Sequence, residues 1–394
     1  MKKLNIGIFM DDFYPNINGV VLVIDALARN MCKYANVTIV VPETESSEGD
    51  DEKPYEVYRV NSIHLPLTEY HMGTPKLKPF KVEKDLIAKK FDIIHIHSPF
   101  TMGKLGLHIA KKLDVPAIAT MHTRFDFEFR KYLKSDHLSK LLIHEIIKVY
   151  NKCFACIAIN NAMVKVFEDF GYKGKPIVEY NGTELKLIDN PEEKVKKINK
   201  MYNLKEDETV LLFVGRINEV KNIFFILDVM KRLKEKGIEY KMLFVGTGPD
   251  EEKLKKKIKE YKLSDRVIMT GKITDRDILS TIYYRAKLFV FPSLFDASSL
   301  VQIEAASQKT PTIFIEGSVT SDTVTNNVNG FKAPNDLEEF TNRIIEILND
   351  KKLYEQVREN AHRDLAKSWE TISKETYQIY LDIIDKYNRS HAWK

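Results

Sequence analysis

Short apolar runs alternate with amphipathic stretches along almost the whole chain. The runs typical of strands include LNIGIFM, NVTIVVP, FDIIHIH and PAIATMH, and later TVLLFVG, YKMLFVG, KLFVFP and TPTIFI. Between them, apolar residues recur at helical spacing, for example over residues 19–34, 103–113 and 137–152. Because strands that alternate with helices form right-handed βαβ units, the pattern predicts parallel sheets covered by helices on both faces.

The alternation stops at a polar stretch rich in Lys and Glu, residues 190–208, and then starts again. A chain of 394 residues is long enough for two domains. We therefore expect a Rossmann-like domain over residues 1–180, a linker over 181–206 and a second Rossmann-like domain over 207–369. A C-terminal helix over 370–394 should pack back on the first domain. In such sheets ligands lie outside the carboxyl ends of the strands, so we expect a ligand site in a cleft between the two domains.

The composition narrows the class of protein. No stretch of about 18 apolar residues occurs, so the sequence contains no candidate membrane span. Only three cysteines are present, Cys32, Cys153 and Cys156, which favours a reducing, cytoplasmic compartment. Cys153 and Cys156 form a CxxC pair without a second pair or a nearby histidine pattern. We interpret them as small core residues rather than as a redox or zinc site.

The positive charge of the chain is concentrated in one segment. The net charge is +5, and residues 104–152 hold ten Lys or Arg against five Asp or Glu. The sequence has no zinc-finger spacing, no aromatic RNP pattern and no long basic arm, so we expect no nucleic-acid partner. A basic surface of this size suits anionic lipid head groups or an anionic acceptor. The basic residues of this segment are Lys104, Lys111, Lys112, Arg124, Arg130, Lys131, Lys134, Lys140, Lys148 and Lys152.

One predicted helix of this basic segment is amphipathic. Residues 137–152 place apolar side chains on one face and basic side chains every four residues on another. The preceding stretch, FDFEFRKYL, adds aromatic residues beside cations, which suits a lipid interface. The pattern fits two structures, a helix that docks on an anionic membrane or a core helix with a solvated basic stripe. The apolar positions are Leu138, Leu142, Ile146 and Val149, and the basic ones are Lys140, His144, Lys148 and Lys152.

Two loops of the second half follow predicted strands and carry cations or glycines. VGRINEVKN places Arg216 and Lys221 just after a strand and at the start of a helix. Two cations there can clamp a diphosphate, although an exposed ion-paired turn would also explain them. VGTGPDEEKL contains Gly246 and Gly248, which by themselves indicate only a tight turn between a strand and a helix.

A third loop, SLFDASSLVQIEAASQKTP, carries the carboxylates Asp296 and Glu304 around small residues. Unpaired N–H groups and the helix dipole make the start of such a helix an anion site. Acids at this place should therefore bind something other than the anion, and sugar hydroxyls are good candidates. The alternative is that Asp296 is a loop residue or helix cap and Glu304 a solvated helix residue.

In their order and spacing, these three loops resemble the large retaining GT-B glycosyltransferase family, and the resemblance covers nearly the whole chain. FMDDFYPNINGVVLVIDALARNM and HIHSPFTMGKLGLHIAKKLDVPAIATMHTRF look like the branch of bacterial diacylglycerol glucosyltransferases. The resemblance implies a GT-B fold, in which two Rossmann-like domains face each other across a cleft. It also implies a nucleotide-sugar co-substrate, which we expect to be a UDP-hexose. No DxD pair occupies a matching loop, so neither a metal ion nor a cofactor is implied.

The resemblance assigns roles to individual residues. Arg216 and Lys221 match the diphosphate-binding pair of the family, and Asp296 matches the acid that contacts the donor sugar. Glu304 matches the acid that holds the ribose hydroxyls. His122 matches the histidine near the reacting sugar, and its alternative is a hydrogen-bonded residue at a strand end. The expected catalytic residues are thus His122, Arg216, Lys221 and Asp296, and the donor-binding residues besides Glu304 are Gly19, Gly215, Gly246, Gly271, Ile273, Ala297, Ser298, Ser299 and Leu300.

The loop that carries Asp296 departs from the family pattern. Asp296 replaces the usual Glu and is one methylene shorter, which changes its reach. Ala297 and Ser299 stand at the positions of two glycines, and Ser298 at that of an aromatic residue. At the first glycine loop, N-G replaces the commoner G-G. These changes can alter the choice of donor or weaken donor binding, and a hydroxyl of Ser298 or Ser299 can compensate.

We therefore expect a retaining transferase that moves a hexose from a UDP-sugar to an acceptor, with a glycerolipid at the inner face of the cell membrane as the first candidate. Arg216, Lys221 and helix-terminal N–H groups would stabilise the charge that grows on the leaving diphosphate. No second carboxylate is placed as a nucleophile, unlike in a double-displacement hydrolase. Two alternatives are transfer to a polysaccharide or protein-linked glycan, and a non-catalytic subunit that binds a sugar nucleotide. The retained cations and Glu304 argue against the non-catalytic subunit.

Overall fold

The chain folds into two compact α/β units. The computed structural model describes residues 3–65, 71–75, 79–133 and 135–391. One unit comprises Met1–Asn181 together with Trp369–Lys394, and the other comprises Gly182–Ser368. The predicted parallel α/β architecture is confirmed in both units.

A parallel sheet forms the centre of the first unit. The strands of this unit are β1 (Leu4–Phe9), β2 (Ala35–Pro42), β3 (Glu56–Val60), β4 (Ser62–His64), β5 (His71–Gly73), β6 (Ile93–Ile96), β7 (Ala117–Met121), β8 (Ala155–Ala158) and β9 (Ile177–Val178). Seven of them form the sheet in the order β3-β2-β1-β6-β7-β8-β9, while β4 and β5 form a separate antiparallel pair. Helices cover the sheet, so its central strands are mostly buried and largely apolar, as the sequence pattern predicts.

The helices of the first unit pack their apolar faces on this sheet. They are α1 (Gly19–Met31), α2 (Pro79–Ala88), α3 (Thr101–Leu113), α4 (Phe125–Leu133), α5 (Asp136–Tyr150) and α6 (Asn161–Asp169). Val21, Ile24 and Leu27 of α1 join Ile8 and Ile39 of the sheet in one buried apolar cluster. Because the loop before α1 follows β1, this packing fixes the start of α1 at the carboxyl edge of the sheet.

The second unit repeats this architecture. Its strands are β10 (Val210–Val214), β11 (Lys241–Val245), β12 (Val267–Gly271), β13 (Leu288–Phe291), β14 (Thr312–Ile315) and β15 (Phe331–Ala333), and they form one parallel sheet in the order β12-β11-β10-β13-β14-β15. Its helices are α7 (Pro191–Tyr202), α8 (Ile223–Glu235), α9 (Glu251–Glu260), α10 (Arg276–Arg285), α11 (Leu300–Ser307), α12 (Leu337–Asn349) and α13 (Lys351–Leu365). Two 3-10 turns span Glu219–Lys221 and Val319–Thr323.

Residues 181–206, expected to be a linker, are instead largely an integral part of the second unit. They contain α7, and all of them except Asn181 belong to Gly182–Ser368. Ile198 and Leu204 are buried in the apolar core of that unit. The stretch has a polar composition because only one side of α7 is covered by the rest of the unit. The burial of that side shows that α7 is part of the second unit rather than a linker.

The C-terminal helix α14 (Trp369–His391) belongs to the first unit. Tyr380 and Ile383 of α14 lie in the same buried cluster as Ile24 and Leu27 of α1. Residues 392–394, the end of the helix expected over 370–394, lie outside the described residues. Within the ranges that the structure describes, no helix is both long enough and apolar enough to cross a membrane.

Candidate functional site

Two loops at the carboxyl edge of the second sheet lock onto each other through their backbones. The N–H of Gly215, after β10, donates to the carbonyl of Val245 at 3.0 Å. A Cβ atom on Gly246 would lie 2.0 Å from the carbonyl oxygen of Gly215, and one on Gly248 would lie 2.2 Å from that of Ile217. Only glycine permits these approaches. The structure thus gives Gly246 and Gly248 a packing role, and the donor-binding role assigned to Gly246 remains a prediction.

Gly271 is the last residue of β12, and Ile273 follows it, so both lie at the carboxyl edge of the second sheet. Gly271 has a φ of 74°, a left-handed conformation that favours glycine, and a Cβ atom there would meet open space. Ile273 is half-buried and packs against the core of the second unit. Lys272 between them is exposed, and the contact of this segment with a nucleotide base remains a prediction.

Lys221 and Asp296 form an ion pair at this edge of the sheet. The ammonium of Lys221 donates to Oδ1 of Asp296, which lies in the loop after β13. Asn222 ties the two segments together, because its side-chain amide donates to the carbonyl of Pro292 at 3.1 Å. Lys221 is thus ion-paired, as the alternative for this turn expects, but the side chains of Lys221 and Asp296 are only 23% and 19% exposed, so the pair is not an exposed one.

The second carboxylate oxygen of Asp296 is an unused acceptor. Oδ2 is buried and has no hydrogen-bond partner among the residues that the structure describes. Leaving a buried carboxylate oxygen unpaired is unfavourable, and such atoms in native structures often mark the place of a ligand. Arg216, in the loop after β10, is exposed, and its guanidinium forms no ion pair or hydrogen bond with the described part of the chain. It is thus available to an anion.

Helix α11 begins close after Asp296, and its cap is Ser299 rather than Asp296. The hydroxyl of Ser299 accepts a hydrogen bond from the N–H of Gln302 at 3.2 Å, and the residue is 4% exposed. The Ser299 hydroxyl can therefore reach a sugar only in addition to this capping bond. Ala297, Ser298 and Leu300 flank the cap, as predicted, but the structure does not test their contact with a donor.

Glu304, one turn into α11, is largely buried and held by two side chains of α10. The hydroxyl of Tyr283 donates to Oε2 at 3.1 Å, and a guanidinium nitrogen of Arg276 lies 3.3 Å from Oε1. Burial raises the pKa of Glu304, and the nearby Arg276 charge opposes that rise. The Glu304 side chain is only 15% exposed, so the interpretation as a solvated helix residue is wrong. Sequence reasoning missed both Arg276 and Tyr283.

In the first unit, His122 lies in a cluster of buried histidines at the ends of β6 and β7. Nδ1 of His97 and Nε2 of His122 share a hydrogen bond of 2.8 Å, and the two rings are stacked. His95 bonds Tyr380 of α14 at 2.6 Å and Thr120 of β7 at 2.7 Å. The sequence suggests His95 and His97 only as strand-end residues, but their spacing of two does predict one shared face of β6. In the described residues no group of His, Cys, Asp and Glu is arranged to hold a metal ion.

This histidine cluster predicts an acid-sensitive fold. Burial lowers the pKa of His95 to about 3, that of His122 to about 4 and that of His97 well below its ordinary value. The unfolded chain binds protons at these side chains near pH 6.5, so below that pH the unfolded state binds more protons and the free energy of unfolding falls. Each histidine contributes about 1.4 kcal/mol per pH unit.

We expect His97→Gln to flatten this dependence, because Gln cannot take up a proton in the unfolded chain. The melting temperature, measured by tryptophan fluorescence between about pH 6.5 and pH 4.5, should fall less steeply for the variant than for the wild type. His108→Gln is the matched control, since His108 is exposed and bonds Glu83 on the surface. Parallel curves for the wild type and His97→Gln would contradict the neutral state assigned to the cluster.

Gly19 is the first residue of α1 and is exposed. Asn18 caps the helix, accepting from the N–H groups of Val20 and Val21 at 3.0 and 3.1 Å, and Asp12 holds the Asn18 amide at 2.6 Å. A Cβ atom on Gly19 would meet nothing within 4 Å. The fold of this loop thus does not itself require glycine, and the role of Gly19 beside a diphosphate remains a prediction.

Several cations of the basic segment are neutralised by ion pairs. Arg124 pairs with Asp126, Arg130 with Asp136 and Lys148 with Glu145. Ile146 and Val149 of α5 are buried, as expected for a core helix. Leu138 and Leu141, however, are 41% and 53% exposed. Helix α5 therefore combines a core face at its end with exposed apolar side chains at its start. The side chains of Lys131 and Lys134 lie outside the described residues.

Two family models match the chain, one over each half. The model described as Glycosyltransferase Family 4 matches residues 17–187, and the model described as Glycosyl transferases group 1 matches residues 194–364. The chain belongs to the group 1 glycosyltransferases. The predicted family is thereby confirmed.

Relatives of this group 1 glycosyltransferase match it over almost its full length. It is 25% identical over 400 residues to the alpha-monoglucosyldiacylglycerol synthase of Acholeplasma laidlawii, which covers 98% of this chain and 99% of the relative. It is also 25% identical over 396 residues to the GDP-mannose-dependent alpha-mannosyltransferase of Corynebacterium glutamicum, which covers 98% of this chain and 90% of the relative.

Solved structures confirm the predicted GT-B fold of this glycosyltransferase. The Anabaena protein HepE, crystallised in complex with UDP, matches with a TM-score of 0.77 at 15% identity, covering 97% of this chain and 100% of that chain. The sucrose-phosphate synthase from Thermosynechococcus elongatus matches with a TM-score of 0.75 at 19% identity, covering 98% and 100%. At these identities the similarity establishes the fold alone.

Proposed function

We propose that this glycosyltransferase is a retaining, metal-independent hexosyltransferase that takes its hexose from a UDP-sugar. The observation that carries the proposal is the ion pair of Lys221 and Asp296, in which Oδ1 of Asp296 contacts Lys221 while Oδ2 has no hydrogen-bond partner among the described residues. Oδ2 of Asp296 can accept a hydrogen bond from a sugar hydroxyl while Oδ1 keeps its contact with Lys221. Arg216 and Lys221 would neutralise the diphosphate, where negative charge grows as the bond to the sugar breaks.

The nucleotide would be held at Glu304. Within the described part of the chain, each carboxylate oxygen of Glu304 has one polar contact, so each keeps a lone pair for a ribose hydroxyl. A relative from Escherichia coli is named for a UDP-sugar, UDP-Gal, whereas the mannosyltransferase relative is named for GDP-mannose. The base therefore needs a direct test, in which GDP-sugars are the competing donors.

We propose a front-face reaction for the transfer. The bond between the anomeric carbon and the diphosphate oxygen breaks, and the acceptor hydroxyl oxygen bonds the same face of that carbon. The acceptor proton passes to the leaving diphosphate oxygen, which Arg216 and Lys221 stabilise. Asp296 is already engaged by Lys221, so it is placed to orient the sugar rather than to attack it.

A donor panel tests this function. Purified protein is incubated with UDP- and GDP-hexoses, with and without vesicles that contain diacylglycerol, and nucleotide release and glycolipid are measured. We expect release of UDP together with a glycolipid whose anomeric configuration is that of the donor. Consumption of GDP-sugars alone would overturn the assignment of UDP, an inverted product would overturn the retaining mechanism, and binding without turnover would favour the non-catalytic alternative.

We further propose a glycerolipid as the acceptor. Relatives in Acholeplasma laidlawii and Streptococcus pneumoniae carry the name alpha-monoglucosyldiacylglycerol synthase. In the first unit, exposed Leu138 and Leu141 of α5 lie on the same helix as exposed Lys140 and Lys148. Apolar side chains flanked by lysines are what an anionic membrane surface binds.

A charge reversal tests this surface. Each Lys near an anionic membrane contributes about 1 kcal/mol, so changing Lys140, Lys148 and Lys152 to Glu should weaken vesicle binding at least on the order of a hundredfold. Lys148 should contribute less than the other two, because Glu145 already pairs with it at 2.5 Å. Flotation with vesicles of increasing anionic lipid content, at low and high salt, measures the effect.

The control for this reversal has the same change in charge elsewhere. Lys196, Lys197 and Lys200 of α7 are exposed and lie in the second unit, so their change to Glu should leave vesicle binding almost unaltered. Donor hydrolysis without acceptor should survive in both variants. Wild-type protein that stays in the soluble fraction at every lipid composition would rule out the membrane surface and favour a soluble acceptor.

A further inference from the structure

Helix α10 holds the largely buried carboxylate of Glu304 from two sides. Tyr283 is completely buried, and its hydroxyl donates to Oε2 at 3.1 Å. Arg276 reaches in from the surface, with a side chain 53% exposed and a guanidinium nitrogen 3.3 Å from Oε1. One partner thus supplies a fixed neutral donor and the other supplies a charge. Together they orient both oxygens of the acid.

The position of Arg276 is unfavourable for the helix to which it belongs. It is the first residue of α10, directly after the cap Asp275, whose side chain accepts from the N–H groups of Asp277 and Ile278. The N-terminus of a helix carries partial positive charge, so a cation there is opposed by the helix dipole. Helix stability therefore does not explain Arg276, whereas its contact with Glu304 does.

The other groups around Glu304 do not supply a compensating charge. Glu184, before α7, acts against ionisation of Glu304. On α13, Nδ1 of His362 lies 3.3 Å from the carbonyl oxygen of Ala306, and Glu359 forms an ion pair with Lys309. Strands β13 and β14, which also pack against α11, have no charged side chains. Among the described residues, Arg276 is the cation in contact with the acid.

We propose that Arg276 and Tyr283 are positioning residues for the nucleotide, which keep the Glu304 carboxylate charged and oriented to accept hydrogen bonds from ribose hydroxyls. This inference rests on the proposed role of Glu304 in nucleotide binding. Burial raises the pKa of Glu304, and both Arg276 and Tyr283 act to lower it. Without Arg276 the acid takes up its proton at a higher pH, and a protonated carboxyl is a weaker acceptor.

Calorimetric titration with UDP over a range of pH tests the inference. We expect Arg276→Ala to bind UDP on the order of tenfold more weakly at neutral pH. The loss of affinity that the wild type shows on acidification should begin at a higher pH in this variant. Arg276→Lys, which retains the charge, should restore most of the wild-type profile, and Tyr283→Phe should shift it less than Arg276→Ala. Arg363→Ala, which removes an exposed surface pair with Asp364, is the matched control.

The outcomes separate this inference from the proposed function. Unchanged UDP affinity in Glu304→Gln would show that the nucleotide is held elsewhere, and the proposed site itself would fail. A loss in Glu304→Gln with a wild-type profile in Arg276→Ala would keep the site and reject the positioning role. A loss in Arg276→Ala that is equal at every pH and that Lys does not restore would also reject it, since Arg276 would then contact the nucleotide directly.

Discussion

Lys221→Ala and Arg216→Ala should each lower turnover with a UDP-hexose on the order of a hundredfold, while the protein stays folded. Both side chains are proposed to stabilise the diphosphate as it leaves, and a contact of this kind to developing charge is typically worth about 3 kcal/mol. Steady-state release of UDP measures turnover. Lys256→Ala is the control, because Lys256 is 81% exposed on α9. Turnover close to that of the wild type in both variants would exclude the two cations from the reaction.

The two variants should differ in stability, although they share the loss of turnover. Arg216 is exposed and unpaired within the described chain, so its removal should leave the melting temperature unchanged. Removal of Lys221 leaves the mostly buried Asp296 without its charge partner, which costs about 1–3 kcal/mol. The double variant Lys221→Ala with Asp296→Asn removes that unpaired charge. It should recover part of the stability and none of the turnover, which distinguishes a catalytic cation from a structural one.

The sequence pattern predicts the fold well because the elements are specified locally. Each buried strand is a short apolar run, and each helix has one apolar face, so both sheets can be read from the alternation. The segment 181–206 could not be read in this way. Its helix α7 has a polar composition, and only the packing of residues such as Ile198 and Leu204 in the second unit shows that it is not a linker.

From the sequence, only those residues of the candidate site that belong to recognisable motifs can be predicted. Lys221 and Asp296 are 75 residues apart in the sequence, and only the resemblance to a family assigns them to one site. The structure brings them into direct contact. Arg276 and Tyr283 belong to no such pattern, because the sequence of α10 gives no sign that two of its side chains point at an acid on α11. Their role follows from three-dimensional contacts alone. The same holds for His97, whose bond to His122 depends on the register of β6 and β7.

Glu304→Gln should weaken UDP binding by about 1.5–3 kcal/mol, on the order of ten- to a hundredfold, because a charged acceptor of ribose hydroxyls becomes neutral. The same change should not destabilise the fold. Burial raises the pKa of Glu304 above its value in the unfolded chain, so at neutral pH the ionised acid detracts from the free energy of unfolding, and Gln removes that contribution. Calorimetry with free UDP and thermal denaturation at the same pH measure both effects, with Glu346→Gln as control for an acid that is largely exposed. Unchanged affinity, or lost affinity together with a lowered melting temperature, would mark Glu304 as a structural acid rather than as a ligand for the nucleotide.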